Sequence, residues 1–203
     1  MRIRQLGVCA YEPVFKNMVT FTEERTPTTP DEIWLCEHEP VFTLGRNGDP
    51  TMLLHQGDIP LVKSDRGGQI TYHGPGQLMV YFLLDLRRKN WAAAEFVSRI
   101  EAQTIQLLQA WNIPAHLREG MPGVYVHQAK IASLGLRIRN ARAYHGLALN
   151  VEMDLAPFSQ INPCGYTDLK MTQMSEFVHA PQLMHQVITQ WEAALNQPEW
   201  LAE

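Results

Sequence analysis

Residues 78–86 read LMVYFLLDL, an almost wholly apolar run without the alternation that marks a strand wet on one face. Such a run is expected to be a central β-strand covered on both sides, so the rest of the chain has to supply a layer for each face. The candidates are easy to find. Tyr11, Val14, Phe15, Met18 and Val19 recur at helical spacing after an opening strand. Between Trp91 and Trp111, apolar positions 96, 97, 100, 107, 108 and 111 keep one helical face, and Leu183, Met184, Val187, Ile188, Trp191 and Leu195 mark a last amphipathic helix.

IWLCEH (33–38), VFTLG (41–45), Gly123–His127, Ile131–Ile138 and Ala143–Val151 read as further strands, with Asn140 at the tip of the last turn. Runs of strands with few intervening helices predict an α+β fold, a mixed and largely antiparallel sheet with packed helices. At 203 residues, 45% hydrophobic and 19% charged, the chain has the material for one domain spanning 1–203.

RGGQITYHGPGQ, residues 66–77, places four glycines and a proline around one histidine, directly before the central strand. A phosphate-binding loop of the Walker type needs Lys and Ser or Thr after its last glycine and then a helix; here Gln77 and a strand follow. The dinucleotide fingerprint fails for the same reason. The stretch is therefore either a pair of tight turns or a place where another molecule approaches the backbone, and burial of the strand after it makes the loop a rim feature.

Three cysteines, Cys9, Cys36 and Cys164, with no CxxC, argue against a disulfide framework and fit a reducing cytoplasm. None of the eight histidines lies in an HxxxH or HExxH arrangement, so no metal site is expected. The N-terminus lacks the apolar core of a signal peptide and no run approaches a membrane span, which predicts a soluble, unexported protein. A formal charge of −4 gives no reason to expect nucleic acid as a partner. Two basic clusters, Arg87–Lys89 and Arg137, Arg139 and Arg142, either steer an acidic macromolecule to one face or are solvated strand ends.

Chemistry is suggested by three stretches. In INPCGY (161–166), Cys164 sits on a Pro-Cys-Gly turn outside any periodic run, whereas Cys9 and Cys36 lie in strands and read as small hydrophobes. An ordinary thiol with a pKa near ~8.5 needs a cation or a helix N-terminus to become a thiolate at neutral pH. In QAKIASLGLRI (128–138), Lys130 is the last charge before an apolar segment, placed either to guard a strand edge or to act as base or ammonium. In YHGLALNV (144–151), small residues continue a pattern with Ser133 and Gly135; Gly146 and Ala148 leave room for a slot that an aliphatic chain fills, or simply allow close strand packing.

Taken together, EHEPVFTLGR, SDRGGQITYHGPGQ, GVYV with KIASLGLRI, YHGLALNV and INPCGY occur in the order and spacing of the lipoyl(octanoyl) transferase family, which this chain resembles over about residues 30–170. Tyr144, where many relatives carry another aromatic, is a conservative departure. The resemblance implies a biotin/lipoate protein ligase-like catalytic domain with its core over about 30–203. It also implies transfer of an octanoyl or lipoyl group from acyl carrier protein to a lysine of lipoyl domains, those of 2-oxoacid dehydrogenase complexes and of the glycine cleavage H protein. Cys164 would hold the acyl group as a thioester and Lys130 would depress its pKa. Arg66, Gly67, Gly68, Gln69, Ile70, Thr71, Tyr72 and His73, then Ser133, Leu134 and Gly135, then Gly146, Leu147 and Ala148, would bind substrate, with His73 at the mouth and not the general base. No cofactor is implied, since thioester to amide is downhill. Other readings are an ATP-dependent ligase of the same fold, a thiol hydrolase and a non-catalytic acyl-binding module.

Overall fold

All nine residues of the strand Gln77–Asp85 are buried, so the run that reads as a doubly covered strand is one. A computed structural model of the chain describes residues 1–55, 57–162 and 169–201. In chain order its elements are β1 (Arg2–Cys9), α1 (Tyr11–Glu24), β2 (Glu32–His38), β3 (Val41–Leu44), β4 (Leu61–Lys63), β5 (Ile70–His73), β6 (Gln77–Asp85), α2 (Ala93–Ala110), β7 (Ala115–Arg118), β8 (Met121–Val126), β9 (Ala129–Arg139), β10 (Arg142–Asn150), α3 (Leu183–Leu195) and α4 (Pro198–Leu201).

The larger sheet runs β1-β2-β6-β10-β9-β8-β7, and a smaller one runs β4-β3-β5. Among the described strand pairs only β1–β2 and β3–β4 are parallel, each lying at the edge of its sheet. The fold is thus α+β with a mixed, largely antiparallel sheet. α2, α3 and α4 cover one face of β6: Phe96, Ile100 and Leu107 and then Leu183, Val187, Trp191 and Leu195 meet Val80, Phe82 and Leu84. α1 covers the other, with Val14 and Met18 against Met79, Tyr81 and Leu83. The sequence of β6 alternates between these layers although both are apolar, which is why no alternation shows in its hydropathy.

Four elements carry no readable periodicity. β4, β5, β7 and α4 have three or four residues each, too few to establish a pattern of period 2 or 3.6. β5 lies inside the Gly-rich stretch, and Arg66, Ile70, Tyr72 and His73 are buried, so that stretch is an inner wall and not a rim. Its last glycine has a definite duty. Gly76 has φ +84°, and a Cβ there would stand 1.9 Å from the Glu152 carbonyl oxygen, whose own residue donates its amide to Gly76.

The basic cluster before α2 finds its partners within the chain, although of its three residues only Lys89 is buried, Arg87 being exposed and Arg88 partly so. Arg87 forks onto Asp85, Arg88 reaches Asp31 and Lys89 is buried with Nζ donating to the Trp200 carbonyl. Asp31, at the entry to β2, also accepts from Arg25 at the end of α1 (2.5 Å) and from the Asp85 amide (2.9 Å). This one carboxylate ties α1, β2 and β6 together. No helix among the described residues is long and apolar enough to cross a membrane.

Asp31→Ala leaves the Arg25 guanidinium, whose side chain is 1% exposed, without its counter-ion. The expected cost is about 3–5 kcal/mol, read as a lower urea midpoint with an unchanged slope; a loss under about 1 kcal/mol would show that the clasp is not structural.

Candidate active site

Where the small sheet folds over β9 and β10 it leaves a cavity of about 420 Å³, a size suited to a small ligand. Arg66 holds it open. The guanidinium is buried and donates from Nε to Thr43 Oγ1, from Nη1 to the Gly67 carbonyl, and from Nη2 to Thr43 and to the Gln69 carbonyl. The loop it grips reaches the large sheet through the Gly67 amide, 3.0 Å from the Leu136 carbonyl.

A chain of hydrogen bonds continues inward from Arg66. Thr43 Oγ1 accepts from Arg66 and lies 3.2 Å from His73 Nε2; His73 Nδ1 is 2.7 Å from Gln77 Oε1. Gln77 donates to Asn150, which donates to the Thr172 carbonyl. The assignment that satisfies every member has His73 protonated on Nδ1, with Nε2 accepting from Thr43. Burial, together with the neighbouring His38 and Arg66, pushes the His73 pKa well down, so its imidazole is neutral.

β10 contributes an unusual residue. His145 has φ +61°, a region that a histidine in a strand seldom adopts. Neighbours on a regular strand point to opposite faces. Here Tyr144 and His145 both reach Asp65: the phenol donates to one carboxylate oxygen, and His145 Nε2 lies 2.8 Å from the other. The left-handed backbone therefore re-aims His145 from the core side onto the cavity wall. Burial lowers the His145 pKa and outweighs the Asp65 carboxylate, which favours the charged form; Arg66 and Arg137 oppose it. Asp65 is partly buried, which raises its pKa, yet the His145 and Tyr144 hydrogen bonds and the Arg137 charge carry it below the ordinary carboxylate value.

Of the binding residues expected from sequence, Arg66, Gly67, Gly68, Gln69, Ile70, Thr71, His73, Ser133, Leu134, Gly135, Gly146 and Ala148 line this cavity. Tyr72 and Leu147 do not. Strand alternation turns Tyr72 onto Phe42 and Phe158, and Leu147 into the core beneath α2 and α3. His73 lies on the inner wall and not at the mouth, being 3% exposed. Gly146 has a second reason to be glycine: a Cβ would come 1.9 Å from the Val80 carbonyl oxygen, so close approach of β10 to β6 demands it.

Lys130 lines the same cavity. It is buried, and Nζ donates to the Pro122 carbonyl (3.0 Å) and lies 5.3 Å from the Tyr125 ring centroid. Its main chain is clasped by Lys170 and Thr172, through Lys130 N to Lys170 O (2.8 Å) and Thr172 N to Lys130 O (3.0 Å). Cys164, expected as nucleophile, lies outside the described residues.

Several wall residues escape a sequence reading. Tyr11, Met79, Tyr81, Met121, Tyr125 and His145 line the cavity but look in sequence like ordinary core positions. The histidine of each His-Gly pair, His73 and His145, is the one legible signal, and the second of them carries the positive φ. A further neutral imidazole stands behind the wall. His38, which burial pushes down to about 4 against the opposing Cys9 carbonyl, has Nε2 2.6 Å from the Tyr81 hydroxyl.

Comparison with known proteins agrees with this architecture. Residues 12–196 match the family model described as the lipoyl protein ligase A/B catalytic domain. An octanoyltransferase of Hahella chejuensis is 58% identical over 176 residues, 87% of this chain and 79% of that one. Another, from Laribacter hongkongensis, is 54% identical over 202 residues, 98% of each. Among solved structures, a lipoate-protein ligase A bound with ATP superposes with TM-score 0.76 at 14% identity, covering 96% of this chain and 85% of that one. The biotin protein ligase of Aquifex aeolicus in complex with biotin and ATP gives 0.54 at 12%, covering 99% and 73%; both likenesses concern the fold. The chain belongs to the lipoyl protein ligase A/B catalytic-domain family, within which its octanoyltransferase relatives mark it as an acyltransferase.

Proposed function

We propose that this acyltransferase moves an octanoyl (or lipoyl) group from acyl carrier protein to a lysine of lipoyl domains, through a thioester on Cys164. The acceptors are the lipoyl domains of 2-oxoacid dehydrogenase complexes and the glycine cleavage H protein. The reaction runs in the cytoplasm, on one catalytic domain spanning 1–203, without nucleotide or metal. The observation that carries the reading is the placement of Lys130. It lies on the cavity that Ser133, Gly135, Gly146 and Ala148 wall, and its amide is bonded to Lys170, six residues beyond Cys164 in the chain.

In the first half-reaction the Cys164 thiolate attacks the donor thioester carbonyl, and the carrier thiolate leaves taking a proton from the Lys130 ammonium, which is left as the neutral amine. In the second, the acceptor amine attacks the Cys164 thioester, gives up a proton to Lys130 and releases the Cys164 thiolate. One thioester replaces another and then an amide replaces a thioester, so no energy source is needed. The covalent intermediate divides a transfer between two proteins into two bimolecular steps, giving ping-pong kinetics. Backbone amides at Gly74–Gly76 or Gly165 are the candidate oxyanion donors. An exposed Arg46 and the half-buried Arg137 beside the cavity suit an acidic carrier.

Three outcomes test the reading. Incubation with octanoyl-acyl carrier protein alone should leave one octanoyl group on Cys164, discharged by a lipoyl domain and absent in Cys164→Ala. Lys130→Met should slow acylation by about 10²–10⁴-fold. Activity that requires ATP and free acid would overturn the scheme.

Ala148→Leu places three more carbons in the cavity and should lower kcat/KM for the eight-carbon donor, relative to a six-carbon one, by roughly tenfold or more. An unchanged ratio would show that the acyl chain lies elsewhere.

His145 has a folded pKa below its unfolded value near ~6.5, so the unfolded chain takes up its proton first as pH falls. Its effect on stability is absent above ~6.5 and grows unfavourable as pH falls toward the folded pKa. The urea midpoint of the wild-type protein should therefore decline relative to that of His145→Asn below pH ~6.5, and a constant difference would contradict a neutral buried imidazole.

A further inference from the structure

Cys9 and Cys36 sit on the parallel β1–β2 pair, with Cys9 opposite His38 and Gly7 opposite Cys36. Residues 7, 9, 36 and 38 share one face of the pair, so both thiols and the His38 imidazole meet beneath α1. Cys9 Sγ is 3.9 Å from His38 Nδ1 and Cys36 Sγ is 3.9 Å from His38 Nε2. One ligand atom from each of the three residues lies within 4.8 Å of the others.

We propose that Cys9, Cys36 and His38 form a binding site for a single thiophilic cation of the zinc type, held by two thiolates and the Nε2 lone pair. The transfer function of the cavity does not use these residues.

Two features favour a cation over a cross-link. The register sets the cysteines two residues out of line, and strands about 4.8 Å apart that rise about 3.3 Å per residue put such neighbours roughly 8 Å apart at Cα, beyond the ~4.4–6.8 Å that a disulfide spans. A tetrahedral ion with metal–sulfur bonds of about 2.3 Å instead asks for sulfurs about 3.8 Å apart, which the separations within 4.8 Å bring into reach once Cys9 Sγ turns from the Nδ1 edge of the ring toward Nε2. The second feature is the tautomer. His38 Nδ1 lies 3.0 Å from the Cys9 carbonyl oxygen, which can only accept, so Nδ1 carries the proton and Nε2 the lone pair. A ligating histidine is oriented in just this way, its other ring N–H given to a carbonyl. Cys9 is partly exposed and Cys36 buried, so the ion enters from the β1 side. Binding releases the two thiol protons to solvent and leaves a fourth position open to water.

The Nε2 lone pair already has a partner in the Tyr81 hydroxyl, 2.6 Å away, and Tyr81 lines the cavity. Cation and hydroxyl compete for one lone pair. Binding of the ion therefore strands a polar group on the cavity wall and links the two places in both directions.

The test uses full-length Cys164→Ala protein, which removes the remaining thiol, and cadmium(II) as the spectroscopic probe. One ion per chain is expected, with a thiolate-to-metal absorption of two-sulfur intensity. In that background Cys9→Ser should halve the band and weaken binding by roughly tenfold or more, with thermal melting as the check on folding. Tyr81→Phe removes the competitor and should tighten binding roughly fivefold, the equivalent of one ordinary hydrogen bond. Absence of the band, one-sulfur intensity, indifference to Cys9→Ser, weaker or unchanged binding in Tyr81→Phe, or a Cys9–Cys36 disulfide in the metal-treated protein would each overturn the proposal. These readouts need no catalysis, so they stand or fall apart from the transfer reaction.

Discussion

The Arg66 guanidinium is the interaction on which the cavity depends. A buried arginine is tolerable only when its donors are met, and here Nε, Nη1 and Nη2 all find oxygens on Thr43 or on the loop's own carbonyls. Because Thr43 lies on β3 and the loop is bonded to Leu136 on β9, the charge stitches the small sheet to the large one. The space left between them is the cavity. Glycines at 67 and 68 follow from this, since a chain that wraps its own carbonyls around a guanidinium has little room for side chains. Arg66 is thus spent on the wall, although it also faces the cavity.

Beyond Arg66, several polar side chains at and behind the wall satisfy one another, whereas the Tyr125 hydroxyl on the wall is buried without a hydrogen-bond partner among the described residues. Thr43, His73, Gln77 and Asn150 form a closed series that ends on the Thr172 carbonyl, and Tyr11 meets Ser64 at 2.8 Å. With the imidazoles of His73 and His145 held neutral by burial, the wall offers an acyl chain little unpaired charge. A surface made of polar residues behaves as a nearly apolar one because its hydrogen bonds turn inward. Lys130 differs in kind, its Nζ donating to the Pro122 carbonyl and lying over the Tyr125 ring.

The sequence announces what is repeated or long. The seven apolar residues Leu78–Leu84 of β6, the helical faces of α1, α2 and α3, and the small-residue pairing of Ser133 with Ala148 and Gly135 with Gly146 are all legible as pattern. Short elements are not: β5 carries three buried residues in four, yet it reads as part of a turn because glycines flank it. Tyr72 and Leu147 show the limit of carrying over a motif whole, since alternation turns the first onto Phe42 and Phe158 and the second into the core. The Arg87–Lys89 cluster fails differently. Charge in sequence says nothing of partners, and these three find Asp85, Asp31 and the Trp200 carbonyl after the chain closes.

His145 owes its placement to a backbone torsion that no sequence pattern carries. Alternation along β10 sends Ala143 and Leu147 to the core under α2 and α3 and Tyr144 and Ala148 to the side of α1, and by parity His145 belongs with the former. A buried imidazole there would need a partner inside a packed hydrocarbon layer, at a cost of several kcal/mol if unmet. One backbone torsion at φ +61° places it instead against Asp65, with Phe15 and Tyr144 stacked on its ring. The strain of a left-handed histidine, about 1–3 kcal/mol, is smaller than the desolvation it avoids. Strain at this position is therefore the cheaper of two solutions to a polar side chain in a doubly covered sheet, and the wall of the cavity is where that solution delivers it.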